Sequence, residues 1–219
     1  GVTGVFVATD DERIADEARR IHADVILTSP ECANGTERVA QAVQRAGLTQ
    51  PIVVNLQGDA PLTPPHFVAA LIGAMRDDEA RQVATPVLRC DREALDNFLA
   101  DRKAGRVGAT TVVRDMQGNA IYFSKEVIPF TGSLKRHDPI PVFHHVGLYA
   151  YTPEALRLYA GLTPGALEQI EGLEQLRFLE HGHKIAAVEV SAPGAAFWEL
   201  NNPSDVPLIE GYLKRMGMD

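Results

Sequence analysis

The sequence predicts an α/β fold, a mostly parallel doubly wound sheet with an antiparallel excursion in the middle. Short apolar runs alternate with segments of helical period from Val5 to Leu88, the pattern of strands joined by crossover helices. A hairpin pattern and a proline-rich stretch then interrupt that alternation between residues 104 and 150. The 219 residues, 45% of them hydrophobic, suffice for one buried domain over 1–219.

Val5–Ala8 reads as a buried strand, and Thr9-Asp10-Asp11 offers a cap to a helix with Ile14, Ala15, Ala18 and Ile21 on one face. Val25–Leu27 is a second strand, and Thr36-Glu37-Arg38 opens a helix carrying Val39, Ala42, Val43 and Ala46. Ile52–Leu56 is the clearest strand. Pro64 and Pro65 start the next helix, with Val68, Leu71, Ile72 and Met75 on one face, because proline suits a first helical turn. Gln82–Leu88 is a further strand. Thr110–Arg114 and Ala120–Ser124 flank Asp115-Met116-Gln117-Gly118-Asn119 as a hairpin. After the prolines from Pro129 to Pro141 come a strand at Phe143–Tyr151, helices at Pro153–Tyr159 and Leu167–Glu180, a strand at Lys184–Val190 and a last helix from Pro203. The excursion over 104–150 suits a dimer contact or a substrate lid.

A net charge of -8 argues against a nucleic-acid surface, though not against a small anionic nucleotide held by local donors and a metal ion. Cys32 and Cys90, far apart and in no metal-like spacing, read as reduced thiols of a cytoplasmic protein. No apolar run approaches a membrane span, and Gly1-Val2-Thr3-Gly4 has neither the basic front nor the apolar core of a signal peptide.

In a doubly wound sheet, ligands gather beyond the carboxyl ends of the strands. Gln57-Gly58-Asp59 stands there: glycine permits close approach, and one carboxylate suits a magnesium ion that takes its other oxygens from phosphate. The same residues could simply make the turn into the Pro64 helix. Asn34-Gly35-Thr36-Glu37-Arg38 precedes a helix whose free amides attract anions or ring acceptors, or else makes an ordinary cap. His144 and His145, adjacent on a strand, must point to opposite faces. The run Leu167–Arg177 has Leu167, Ile170, Leu173 and Leu176 every third residue; on pattern alone, Glu168, Glu171, Glu174 and Gln175 form a solvated face. Asn201-Asn202-Pro203 caps the last helix or offers a neutral oxygen to a metal.

Taken together and in order, Val7-Ala8-Thr9-Asp10, Asn34–Arg38, Val54–Asp59, Ile121–Ser124, His145-Val146-Gly147-Leu148-Tyr149-Ala150-Tyr151 and Leu167–Arg177 resemble the 3-deoxy-manno-octulosonate (Kdo) cytidylyltransferases. The resemblance implies a sheet of the nucleotide-diphospho-sugar transferase type. It implies that the anomeric hydroxyl of Kdo attacks the α-phosphate of CTP, giving CMP-Kdo and pyrophosphate for lipopolysaccharide or capsule synthesis, in a Mg2+-dependent homodimer. Carried over, Asp59 would be a metal ligand and catalytic, and Lys125 would stand where the family has an arginine beside the Kdo carboxylate. Gln57, His145, Tyr149, Glu174 and Gln175 would hold the sugar acid, and Gly35, Thr36 and Arg38 would face the cytosine.

Three departures from the family pattern stand out. Its Gln-Gly-Asp-Glu-Pro reads Gln57-Gly58-Asp59-Ala60-Pro61, with one carboxylate fewer. Its second metal-binding aspartate is replaced by Asn201. Nothing before Val5 matches the family's opening strand, its Gly/Ser/Arg-rich loop or the lysine that grips the triphosphate. The expectation is therefore a chain short of its first βα unit, about 30 residues by the usual size of such units, and poorly active without it. CMP transfer to another ulosonic acid, or a non-catalytic relative that binds nucleotide or sugar, are the alternative readings.

Overall fold

The computed structural model describes residues 1–107, 109–132, 139–192, 200, 206–215 and 217. Consecutive side chains of β4 (Val83–Arg89) and β8 (Leu148–Tyr151) enter opposite apolar layers. Val83, Val87, Tyr149 and Tyr151 pack with residues of α2 (Gly35–Ala46), α5 (Pro153–Gly161) and α7 (Leu176–Glu180). Ala84, Leu148 and Ala150 pack instead on Phe67, Leu71 and Met75 of α3 (Pro65–Asp77). A period of two with both faces apolar fits a central sheet covered by helices on both sides.

The remaining strands are β1 (Phe6–Thr9), β2 (Asp24–Leu27), β3 (Val53–Leu56), β5 (Thr111–Arg114), β6 (Ala120–Ser124), β7 (Phe143–His145) and β9 (Ala186–Val190). The seven-stranded sheet runs β3-β8-β4-β7-β5-β6, with β9 on β4, while β1 and β2 form a separate pair. The sheet is mixed rather than mostly parallel. Only β1–β2 and β4–β9 pair in parallel among the described strands; β3–β8, β4–β8, β4–β7, β5–β6 and β5–β7 are antiparallel. The cause is β8, which lies in reverse between β3 and β4 and so keeps these two from pairing. Alternating apolar runs report which segments are strands and say nothing of their neighbours.

Two predicted elements are each broken in two. Phe143–Tyr151 divides where the Leu148 amide bonds back to the Val146 carbonyl at 2.7 Å, a three-residue turn. Both halves pair with β4, but beyond them β8 takes β3 and β7 takes β5, so the sheet forks at Val146-Gly147. Leu167–Glu180 divides into α6 (Ala166–Glu171) and α7, because Gly172 turns left-handed (φ 62°) and its amide closes on the Glu168 carbonyl. The helix α4 (Arg92–Lys103), capped by Asp91, has no counterpart in the sequence reading; only Leu95 of it is buried, too thin a stripe to show as periodicity. Asp11 caps α1 (Glu12–Arg20), and Asp115 accepts the Gln117 and Asn119 amides inside the expected hairpin. Asn201, Asn202 and Pro203, with the predicted start of the last helix, lie outside the described residues; α8 (Val206–Arg215) follows them.

Candidate active site

The N-terminus of α2 is fixed first. Asn34, not Thr36, is its cap: Oδ1 accepts the Glu37 amide at 2.9 Å, and Nδ2 donates to the Tyr159 hydroxyl at 3.0 Å. Glu37 reaches back to the Ala33 amide at 2.8 Å, which closes the turn. The next free amide, Thr36 N–H, donates to Glu174 Oε2 at 2.8 Å, while Gln57 Nε2 donates to Glu174 Oε1 at 3.1 Å. One carboxylate thus ties the α2 N-terminus to the end of β3. Burial pushes the Glu174 carboxyl above its ordinary range, against the pull of the Thr36 bonds.

These groups wall a cavity of about 280 Å³ at the fork of the sheet. Gln57 closes it from the β3 side, Thr110 from the β5 side and Gly147 from the break between them. His145 and Tyr149 line it too, with ring centroids 5.5 Å apart, and Gly172, Leu173, Glu174 and Gln175 complete it with Asn34 and Gly35. A Cβ on Gly35 would stand 3.4 Å from Gln57 Nε2 and 3.5 Å from Glu174 Oε1, in ordinary contact with this wall. Gln175 is 3% exposed, and its Nε2 has no hydrogen-bond partner among the described residues, an amide kept for something that enters.

The sugar-site residues expected from the sequence, Gln57, His145, Tyr149, Glu174 and Gln175, therefore meet in one cavity, with Gly35 beside them and Thr36 one hydrogen bond behind. Glu174 and Gln175 are not on a solvated face, as pattern alone had it. The Gly172 break turns them inward, and Glu168 is buried as well, paired with Arg177. Arg38 stands apart from the cavity: it is ion-paired to Asp10 at 2.8 Å and bonded to Thr28 Oγ1 at 2.7 Å beside β1 and β2. Lys125 borders it, with its ammonium 3.0 Å from where a Gly172 Cβ would be. Its amide donates to Glu171 Oε2, whose carboxylate also takes the Ser124 and Tyr122 hydroxyls. Asp59 is exposed on the turn after β3; its carbonyl accepts the Leu200 amide at 2.7 Å, and its carboxylate has no side-chain partner among the described residues.

Sequence reasoning missed Thr110, Gly147, Leu173 and Gly172 as cavity residues and had Asn34 only as part of the loop before α2. A glycine inside a run of otherwise helical period was the available signal for Gly172. Gly172→Ala is expected to cost about 1–2 kcal/mol, the price of a left-handed residue with a Cβ, and to displace Lys125; urea unfolding checks it.

His144 and His145 do face opposite ways, onto Phe98 and onto Phe123. Burial pushes them down to about 4 and about 3, the second helped by the first, so both are neutral at pH 7. A group with a lowered folded pKa binds fewer protons folded than unfolded, so stability rises with pH through the window from the folded value up to 6.5. Moving from pH 7 to pH 5 is expected to cost about 1–2 kcal/mol per buried histidine, and His144→Gln should roughly halve that share of the slope in urea titrations at the two pH values.

This layering is shared with solved nucleotidyltransferases. The solved structure of a CMP:2-keto-3-deoxy-manno-octonic acid synthetase complexed with CTP superposes with a TM-score of 0.83 at 30% identity, covering 99% of this chain and 83% of that one. An inositol-1-phosphate CTP transferase from T. maritima, at 13% identity and a TM-score of 0.58, shares the fold alone. Residues 2–185 match the family described as cytidylyltransferase. The 3-deoxy-manno-octulosonate cytidylyltransferase of Maricaulis maris is 39% identical over 217 residues, 99% of this chain and 83% of its own length. The 8-amino-3,8-dideoxy-manno-octulosonate cytidylyltransferase of Shewanella piezotolerans is also 39% identical, over 215 residues, 97% of this chain and 82% of its own. The chain belongs to the 3-deoxy-manno-octulosonate cytidylyltransferase family.

Proposed function

We propose that the protein transfers CMP from CTP to the anomeric hydroxyl of Kdo, releasing pyrophosphate. The observation that carries this reading is the convergence of Gln57, His145, Tyr149, Glu174 and Gln175 on one polar cavity at the β3 end. A sugar acid offers many hydroxyls, and this wall offers amide, imidazole and phenol groups together with the Glu174 carboxyl on several sides. Lys125 at the Gly172 border supplies the positive charge for the acid's carboxylate, as a point charge without an arginine's fork. The Gly35–Thr36 backbone and Arg38 are assigned to the cytosine side.

Asp59 fits a magnesium ligand. Its carboxylate is exposed and unpaired among the described residues, and magnesium takes one or two protein carboxylates and completes its shell with water and phosphate oxygens. Asn201 is the proposed second oxygen; it follows Leu200, whose amide bonds the Asp59 carbonyl. Bound magnesium would neutralise phosphate charge during displacement. The protein's own part is to place the sugar hydroxyl in line with the α-phosphate and to exclude water.

Exposed Val107, Met116, Ile121 and Phe130 on the 104–150 excursion support a homodimer contact there, which light scattering tests. No helix among the described residues is long and apolar enough to cross a membrane. The free thiols of Cys32 and Cys90 suit a reducing, cytoplasmic setting. The deciding experiment follows pyrophosphate release from CTP by the full-length protein with magnesium and either Kdo or its 8-amino analogue. Faster turnover of Kdo supports the reading; preference for the analogue moves the assignment to the amino sugar, and release with neither overturns it.

A further inference from the structure

One group outside the cavity touches a group that lines it. Thr85 of β4 is fully buried and does not line the cavity, and its hydroxyl has three neighbours. These are the Leu148 carbonyl at 2.8 Å, the Val146 carbonyl at 3.3 Å and His145 Nε2 at 3.1 Å. A carbonyl oxygen only accepts, so the 2.8 Å contact between Thr85 Oγ1 and the Leu148 carbonyl requires the single hydroxyl proton between them. The lone pairs of Thr85 Oγ1 are then what meets His145, and Nε2 must be the protonated nitrogen. Among the described residues the ring has no other hydrogen bond, so Nδ1 is left to the cavity that His145 lines.

We infer that Thr85 is a positioning residue that holds His145 as the neutral Nε2–H tautomer, so that the imidazole presents a bare Nδ1 lone pair to the substrate. A lone pair takes a hydroxyl proton and repels a carboxylate. His145 therefore binds a sugar hydroxyl, and the carboxylate of the acid must lie elsewhere in the site. The low proton affinity that burial gives this ring keeps it from becoming a cation that would reverse the preference. The fork of the sheet is what makes the arrangement available: the tight turn at Val146 points two carbonyls, Val146 and Leu148, at one hydroxyl.

The assignment of substrate rests on the proposed function, whereas the tautomer does not, and the two are measured separately. Long-range proton–nitrogen NMR of the histidine-labelled protein at pH 7, with His145→Gln to identify the signals, should show Nε2 protonated and Nδ1 bare. An Nδ1–H or imidazolium pattern overturns the inference whatever the enzyme turns over. In Thr85→Val, which keeps the shape and loses the acceptor, the Nε2–H pattern should give way to a mixture. KM for Kdo should then rise roughly tenfold, the worth of one hydrogen bond, with KM for CTP unchanged, and Thr85→Ser should restore both readings. Thr85→Val with wild-type tautomer and wild-type KM overturns the positioning role. If the wild-type protein turns over no Kdo, the proposed substrate fails while the NMR result still decides the tautomer.

Discussion

Arg177→Met is expected to destabilise the protein by about 3–5 kcal/mol, because it strands a buried charge. Arg177 has a side chain only 3% exposed and clasps Glu168 with two parallel bonds, Nε to Oε2 at 2.8 Å and Nη2 to Oε1 at 2.7 Å. Its third nitrogen reaches Glu37 Oε1 at 2.9 Å, and the guanidinium lies 4.3 Å above the Tyr159 ring. Glu168 is 8% exposed, so its carboxylate has no water to fall back on. The loss also reaches the site. Glu37 closes the turn ahead of α2, and Tyr159 accepts from the α2 cap and donates to the Glu174 carbonyl at 3.1 Å. For a chain of this size the melting midpoint should fall on the order of 10 °C. Adding Glu168→Gln to Arg177→Met removes the stranded charge and should recover a large part of the loss. A single variant as stable as the wild type in urea would show that this pair contributes nothing.

The contrast between Glu174 and Asp59 shows what the sequence could reveal. The strands, most helices and the hairpin were legible, since each is written in local periodicity or turn chemistry: a proline pair before α3, Asp115 and Gly118 in the hairpin, an apolar run into Gln57. Sheet order was not, because β8 enters between β3 and β4 through contacts made only after the chain has folded back. Nor was the burial of Glu168, Glu174 and Gln175. Their spacing matches a solvated helix, and one left-handed glycine, Gly172, decides against it. Asp59 stood out by its own chemistry, as a carboxylate at a strand end, whereas Glu174 and Gln175 entered the site only through the family likeness. Thr85 remained hidden because it acts through a hydrogen bond whose two other partners lie 61 and 63 residues away.

Asp59→Asn, made in the full-length protein, is expected to lower kcat for CMP transfer about a hundredfold or more, the scale of a lost charge-stabilising contact in phosphoryl chemistry. On the proposed reading Asp59 is the only charged ligand the protein gives the metal, since Ala60 stands where the family has a glutamate and Asn201 where it has an aspartate. The amide keeps the size and one neutral oxygen, so the metal should bind more weakly and still bind. Raising magnesium should therefore restore part of the lost rate in the variant and leave the wild type unchanged. The sugar cavity is a separate cluster that Asp59 does not line, so KM for Kdo should hold steady. Folding should hold as well, because the structural contact at this position is made by the Asp59 backbone carbonyl to Leu200 and not by its side chain. A variant with near-normal turnover at low magnesium would remove the metal assignment, and with it the reason a single strand-end carboxylate suffices here.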